Sequence, residues 1–411
     1  MPDNEAPIST GDGLVKISGT VGGLSFDNAG GRGFSVKEVL LNESLLNPGL
    51  QTIVTFQSYI YMKGKNLDSF KGGQIQMNLS SGYGSLSVAQ KIYRLDNREF
   101  MPTNVGSTEE FSLHACDQSL LNDAKSLVSK SWKCESPDGV VSHVLRSCAG
   151  VRNMEVDSAQ PSRDYIAENI HPFQVVAQQA NVALDGDDPS FLHYMTYENN
   201  GTHKFKSLKK LCNGSPKATF FYGDAGAAAG VNYDKNRNVA ITFMFPCDFD
   251  LLSDILNGVD ESGQNINSLT TINPLNMATQ LLGLGGGGGG MSMSGSCGIG
   301  SGNAKASMTN KGTAKEQGGC ETDVEKHLLK RQARMGLLEK DKIALRITTP
   351  WRPDLHVGDL IGFQWNGKEG ATDVYGTGTY LISSLTHKIM MGGFATTTMD
   401  CVAQTAGKGI V

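Results

Sequence analysis

The sequence predicts a multidomain, mainly β protein with α+β insertions: two β units, the C-terminal one a compact barrel, and a small α/β module between them. Three observations lead there. Apolar and polar residues alternate in short blocks along much of the 411-residue chain, as half-buried strands require. Glycine is abundant at 50 residues while aromatics stand at 7%, which suits a loop-rich β protein better than a helical bundle. Asn200-Gly201 and Gly392-Gly393 each sit between alternating runs, where they supply the positive φ of a hairpin turn.

The C-terminal barrel is the most sharply patterned part. Ile343, Leu345 and Ile347 alternate with polar neighbours, and Ile361, Phe363 and Trp365 share one face of a strand over Asp359–Trp365. Tyr380–Met391 and Phe394–Ala403 form two more strands. A two-residue turn at Gly392-Gly393 sets Met391 opposite Phe394, Ile389 opposite Thr396 and His387 opposite Thr398. It places Ile382 and Ser384 with Met399, Cys401 and Ala403 on the barrel interior, and His387 on the same face as Asp400.

Further upstream, residues 1–50 mix glycine-rich turns with short alternations such as Leu14-Val15-Lys16-Ile17, and read as an extended arm. Four period-two segments follow, beginning at Thr52, Gln74, Ser85 and Glu109. Helices are predicted over Asp123–Lys133 and, behind Pro137, over Asp138–Ala149. In the middle stretch Pro172 opens a helix with an apolar stripe at Phe173, Val176, Ala177, Ala180 and Leu184. An aromatic strand from Phe191, the turn Asn200-Gly201 and a return strand through His203 and Phe205 complete that unit. Val239–Phe245 alternates, and Asp248–Leu256, Met277–Leu282 and Thr322–Leu338 have helical character. Between the last two lies a segment with Gly285–Gly290, six consecutive glycines, which offers too little apolar surface to offset its ordering entropy.

Two strings carry a family resemblance. One is Pro350-Trp351-Arg352-Pro353-Asp354-Leu355-His356-Val357-Gly358-Asp359-Leu360-Ile361, followed by Gly378–Ile389 with His387 and by the Gly392-Gly393 turn. The other is the Pro172 helix with its aromatic strand and the return strand Gly201-Thr202-His203-Lys204-Phe205. In order and spacing they resemble the baseplate hub proteins of contractile-tailed bacteriophages, relatives of the base of the type VI secretion spike, over about half of the chain. The resemblance implies two tail-tube-like barrels per chain and a homotrimer forming a pseudo-sixfold ring. It implies that Pro353, Gly358, Asp359, His387, Gly392, Gly393, Pro172, Asn200, Gly201 and Phe205 are structural positions of the family's motifs.

It also implies the partners: the tail tube protein on one face, a central spike protein on the other, and baseplate wedge proteins around the ring. DNA would be only passing cargo in the channel, and the host envelope a transient contact. On this reading the chain is a virion protein of the tail baseplate, synthesised and assembled in host cytoplasm. The domains would be an N-terminal arm (1–50), a first tube-like β domain with a helical insertion (51–165) and a helix-plus-hairpin middle module (166–215). An α+β segment able to complete a barrel (216–282), a Gly-rich flexible loop (283–320) and a helix plus C-terminal tube-like barrel (321–407) would follow. Gln74–Leu79 and Tyr380–Met390 are the expected edge strands for joining neighbouring barrels.

Charge and motifs exclude several other classes. A net charge of -5 supplies no basic field to hold nucleic acid, although an acidic protein suits a channel that DNA must pass without sticking. The N-terminus has neither the basic nor the apolar region of a secretory leader, and no apolar run approaches the roughly 20 residues that span a bilayer. The eight cysteines lack any C-x-x-C spacing and are expected reduced. The glycine run matches a phosphate-loop pattern only trivially, without the flanking strand, helix and Lys. A two-residue turn at Asn200-Gly201 sets Glu198 opposite His203 and His193 opposite Leu208, so the two histidines take opposite faces and a shared metal is not expected. His114 with Cys116, and His143 with Cys148, are the nearest nucleophile pairs, but no oxyanion loop flanks either. No cofactor, metal or catalytic residue is assigned, and the chain is read as a structural protein, not an enzyme. A tail-tip cell-wall hydrolase and a hexameric tail-tube or spike adaptor are the alternatives.

Overall fold

The computed structural model describes residues 14–28, 34–58, 70–103, 106–223, 240–243, 268–272, 306–310, 345–366 and 372–403, together with Arg331, Met335 and Leu338. Twenty strands are assigned among them. The first seven are β1 (Lys16–Val21), β2 (Leu24–Asp27), β3 (Phe34–Ser44), β4 (Gln51–Ser58), β5 (Gln74–Ser81), β6 (Gly84–Thr103) and β7 (Gly106–Cys116). Then come α1 (Gln118–Lys125), β8 (Val128–Glu135), α2 (Pro137–Ser147), β9 (Met154–Val156), β10 (Arg163–Ile170), α3 (Pro172–Val182), β11 (Phe191–Thr196), β12 (Thr202–Ser207) and α4 (Leu208–Cys212). The rest are β13 (Ala218–Gly223), β14 (Ala240–Phe243), β15 (Ser268–Ile272), β16 (Ala306–Asn310), β17 (Leu345–Pro350), β18 (Leu360–Asn366), β19 (Thr372–Met390) and β20 (Ala395–Val402).

Strands β1 to β7 close on themselves in the order β3-β2-β1-β5-β6-β7-β4, with β4 returning to β3. The result is a closed seven-stranded barrel. Strict alternation fills it: Ile75, Met77 and Leu79 of β5 and Leu86, Val88 and Ile92 of β6 point inward and are buried. Phe26, Phe56 and Phe111 meet inside, with Phe56 centred 5.1 Å from Phe26 and 5.7 Å from Phe111. Burying each ring contributes about 1.5–3 kcal/mol. Gly19 is required at its point on β1, because a Cβ there would overlap the Gln76 carbonyl and lie 2.5 Å from the Phe26 ring.

The stretch expected as an extended arm thus contributes three staves of this barrel. Its alternations are short, but β1 is hydrogen-bonded on both sides, to β2 and to β5, which shares the cost of ordering between two ladders. The four period-two segments from Thr52 to Cys116 become β4, β5, β6 and β7.

A second sheet runs β14-β17-β20-β19-β18-β13, so strands from 218–223 and 240–243 flank the C-terminal ones at its two ends. Ile347, Phe363, Ile382, Leu385 and Met399 make its core. Antiparallel pairing of β19 with β3, from Ser384↔Ser44 to Met390↔Glu38, fuses this sheet to the barrel as one thirteen-stranded sheet. Neither predicted edge strand is therefore an edge. Gln74–Leu79 is paired on both sides, by β1 and β6, and Tyr380–Met390 by β20 on one side and by β18 and β3 on the other. Tyr380–Met390 does join two β units, but within one chain.

The β19–β20 turn contains three residues, Met391–Gly393, instead of two, with Gly392 and Gly393 both at positive φ. The extra residue has a cause: the Gly393 carbonyl accepts a hydrogen bond from Val15 N at 2.8 Å, so the hairpin tip is docked beside β1. Every predicted partner slips by one, giving Ile389↔Ala395 and His387↔Thr397. A bulge at Ser383 then sets Ile382 opposite Cys401, while Ser384 faces Asp400. The bulge is useful, since the Ser383 carbonyl accepts from Leu45 N at 3.0 Å at the end of β3. His387 and Asp400 end on opposite faces; Asp400 is held by Arg346 through Nε–Oδ1 at 2.5 Å and a second contact at 3.1 Å.

The middle module packs α2 and α3 over the β11-β12-β9 sheet and the β8–β10 pair. The helix expected over Asp123–Lys133 is replaced by α1 and β8. Asp117 caps α1 early, accepting from Ser119 N at 2.7 Å, and Val128 and Trp132 then take the buried positions of a strand paired with β10. The helix behind Pro137 forms as expected, capped by Ser136. On α3 the buried face is Phe173, Val176, Gln179 and Ala180, so Ala177 is exposed. The helical runs at Asp248–Leu256 and Met277–Leu282 and the six glycines lie outside the described residues. So does most of Thr322–Leu338, where Arg331 donates to the carbonyls of Pro189 (2.8 Å) and Phe191 (3.1 Å) and Leu338 enters the second core.

Candidate functional site

The residues with the most constrained chemistry meet where the barrel, the middle module and the second sheet touch. On β3, Val39, Leu41 and Glu43 are the inward positions, so the alternation places a carboxylate in the interior. Its side chain has no exposure. Glu43 accepts from His356 Nδ1 at 2.9 Å, from Tyr197 N at 2.7 Å and from Val357 N at 2.9 Å. One carboxylate thereby ties the barrel, the β11–β12 loop and the turn before β18. Burial pushes this carboxyl up most strongly, but the His356 hydrogen bond and charge and the two backbone N–H groups outweigh it and hold Glu43 below its usual range. His356 is the complement: burial draws it down, and Glu43 more than restores it, leaving it raised.

The Pro350–Ile361 string shapes the other side of this junction. Asp359 Oδ2 accepts from His356 N at 2.9 Å and from Lys217 Nζ at 2.8 Å, which fixes the turn that presents His356 and Val357. Gly358 sits at φ 86°, and a Cβ there would come within 2.6 Å of the Tyr194 hydroxyl. Pro353 lies against Gly84, whose absent Cβ would be 3.1 Å from its ring. Trp351 and Ile389 reach back into the barrel core, while Leu45 of the barrel side lies in the second core, so the two hydrophobic cores interlock.

His387 is buried beside Trp351, the rings meeting edge-on at 6.3 Å. Thr397 Oγ1 accepts from Arg352 N at 2.9 Å, so its own proton is free to go to His387 Nδ1, also at 2.9 Å. Burial lowers His387 to about 4.

In the middle module the hairpin loop is longer than a two-residue turn: Thr196 pairs with Thr202, and Asn199, Asn200 and Gly201 all take positive φ. His193 therefore faces Phe205 and His203 faces Met195, which brings the two histidines to one face of the hairpin. The expectation that they diverge is overturned, because the register differs from the assumed one by an odd number of residues. His193 Nε2 lies 3.1 Å from His203 Nδ1, and His203 Nε2 lies 2.9 Å from Ser119 Oγ. Burial holds His203 near 4 and, with the neighbouring His203, keeps His193 well below its usual value. No cluster of metal-ligating side chains occurs among the described residues. Pro172 starts α3, and Phe205 stacks on Phe191 with centroids 5.0 Å apart.

The nucleophile candidates are not assembled. His114 turns to Asp96 at 3.1 Å, and burial pushes the Cys116 thiol up to about 11. His143 receives Lys130 Nζ at 2.8 Å. Cys116, Cys148 and Cys401 are free thiols, whereas Cys134 is disulfide-bonded, against the expectation of a fully reduced set.

These shifts fix a pH dependence. The depressed Glu43 contributes stability that is present above its ordinary 4.5 and lost as pH falls through its folded value. The raised His356 contributes stability that is complete below 6.5 and lost as pH rises through its folded value, so both act fully between 4.5 and 6.5. His193, His203 and His387 act oppositely, since below 6.5 only the unfolded chain readily binds their protons. Each subtracts up to about 1.4 kcal/mol per pH unit. The urea midpoint is expected to fall between about pH 6.5 and 5, and His387→Gln to reduce that slope by about a third. A flat or rising midpoint would contradict the assignment of neutral buried histidines.

Neither a family model nor a curated protein matches the sequence. Solved structures do. The tail protein of Neisseria meningitidis MC58 superposes with a TM-score of 0.52 at 11% identity, covering 95% of this chain and 97% of its own. The 43 kDa tail protein of prophage MuSo2 from Shewanella oneidensis gives 0.51 at 10% identity, with coverages of 94% and 98%. A type VI secretion system component of E. coli gives 0.47 at 10% identity, covering 92% of this chain and 76% of its own. The chain thus shares the fold of these two tail proteins.

Sequence reading misses Glu43, and the signal that could find it is a carboxylate in the inward phase of the Val39-Leu41 alternation. No helix of the described residues is long and apolar enough to cross a membrane.

Proposed function

We propose that this chain is the hub of a contractile phage tail baseplate, a homotrimer whose two fused β units per chain form a pseudo-sixfold ring. The ring joins the tail tube to a central spike and contributes to the DNA channel, with wedge proteins outside it. It works in the virion as structure and not as an enzyme. The observation that supports this most is the β19–β3 ladder, seven residue pairs that make two β units one body within a single polypeptide. Three copies then supply six β units, which is what a sixfold tube needs from a threefold spike adaptor. The elevated Cys116 thiol, far from the thiolate a nucleophile requires, supports structure over a hydrolase.

The exposed apolar tip of the β19–β20 hairpin, with Met391 at 50% and Phe394 at 62% exposure, fits burial in such an assembly. Native mass measurement of the purified chain is expected to show three copies, and Met391→Asp with Phe394→Asp to shift it to one copy without lowering the melting temperature. Six copies would favour the hexameric adaptor; a monomer at every concentration, indifferent to tube and spike proteins, would overturn the proposal.

A further inference from the structure

Three side chains form a hydrogen-bonded chain across the seam between α1, which follows the last barrel strand, and the β11–β12 hairpin of the middle module. Ser119 Oγ lies 2.9 Å from His203 Nε2, and His203 Nδ1 lies 3.1 Å from His193 Nε2. The two imidazoles are nearly parallel, 23° apart with centroids at 5.3 Å. Phe173 covers both, its ring centred 5.2 Å from His193 and 5.6 Å from His203. His203 N donates to the Asn153 carbonyl at 3.0 Å, so the strand is fixed and only the side chain is free to turn.

Such a chain accommodates one added proton but not two. With both rings neutral, one of the two facing nitrogens donates and the other accepts. A first added proton makes His203 a cation that donates from Nδ1 to His193 and from Nε2 to Ser119, and every contact survives. A second sets N–H against N–H across 3.1 Å and places two cations side by side under one phenyl ring.

A counter-charge stands ready for the displaced ring. Asp117 caps α1 through Oδ1, 2.7 Å from Ser119 N, while its Oδ2 faces the hairpin loop, 3.6 Å from where a Cβ on Gly201 would stand, two residues before His203. Asp117, Ser119 and His203 line one cleft of about 580 Å³, which gives the ring room to turn. The other charges around it offer no rival partner. Lys91 and Arg152 on the cleft wall are cations, Glu155 and Glu198 are engaged by Lys206 and Lys204, and His171 is turned to the carbonyls of Asp123 and Ser126. Burial keeps both rings neutral at pH 7, although the Asp117 charge pulls His203 upward.

We propose that Ser119, His203 and His193 form an acid-operated latch: closed with no added proton or one, it opens on the second, when His203 turns from Ser119 to Asp117 and strips α1 of its cap. The opening is local. The start of the helix frays and the seam between barrel and module loosens, while the hydrophobic cores stay packed. The latch does not rest on the hub reading.

Hydrogen exchange on the full chain, corrected for its intrinsic pH dependence, reads the latch in the amides of α1. Opening that takes up two protons is expected to increase about a hundredfold from about pH 6 to 5, with the amides of β5 still protected. In His193→Gln, whose carboxamide oxygen can accept from a protonated His203, the increase is expected to be about tenfold or less. His387→Gln, which lies outside the latch, is expected to keep the wild-type increase, and so separates the latch from the pH dependence of global stability. Should His193→Gln fold poorly, the ring signals of the wild-type protein decide. By NMR, His193 and His203 are expected to take up protons in one joint transition below about pH 6 that also moves the Ser119 amide. An increase in α1 exchange that β5 matches, an increase unchanged in His193→Gln, or two independent ring titrations near the ordinary histidine value of about 6.5 with the Ser119 amide unmoved, overturns the proposal.

Discussion

Glu43→Ala is expected to destabilise the protein by about 3–5 kcal/mol, the range found when one partner of a buried ion pair is removed. The loss has two sources. His356, 6% exposed as a residue, would be left as an uncompensated buried cation or be forced to lose its proton, and the N–H groups of Tyr197 and Val357 would be left without an acceptor. Because Glu43 and the groups it holds come from three different parts of the fold, the substitution is also expected to weaken their coupling. Denaturation followed by a probe in the barrel and another in the second sheet should then show separated transitions. A double-mutant cycle with His356→Ala is expected to be strongly non-additive, since the second change removes the stranded charge. Additive losses, or a cost under about 1 kcal/mol, would mean that the junction is held by packing alone.

Gly358→Ala has the next largest expected effect, about 2–4 kcal/mol, from strained backbone plus overpacking. At φ 86° any side chain is disfavoured, and the added Cβ would stand 2.6 Å from Tyr194 Oη and 3.2 Å from the ring carbon that bears it. The two causes separate in the double variant with Tyr194→Phe, which removes the hydroxyl but leaves the φ. Partial recovery is the expected result, read as a shift in the denaturation midpoint. Full recovery would assign the whole cost to the clash, and none would assign it to the backbone.

These two residues also show what is legible in the sequence. Gly358 and Asp359 stand in a local string whose turn chemistry is written in consecutive residues, so both can be singled out before any contact is known. Glu43 cannot be matched to His356, 313 positions away, because alternation marks which face a residue takes and not what lies across from it. The hairpins teach the same lesson. Their glycines and asparagines locate both turns, yet the expected register fails at each: contacts beyond the hairpin add a residue to the β19–β20 loop, and three consecutive positive-φ residues lengthen the β11–β12 loop. An odd error in register reverses faces, which separates His387 from Asp400 and brings His193 to His203. The first strands are the hardest to see, because β1 and β2 hold only 6 and 4 residues and β1 takes its second ladder from the distant β5, where Ile17 pairs with Leu79.

The central claim, two β units per chain and three chains per ring, is tested most directly by imaging the assembled particle end-on. The account predicts six similar β densities around the axis that alternate in detail, so that only threefold averaging sharpens them. Six identical densities, each traced to a separate chain, or a particle with no ring at all, would contradict it.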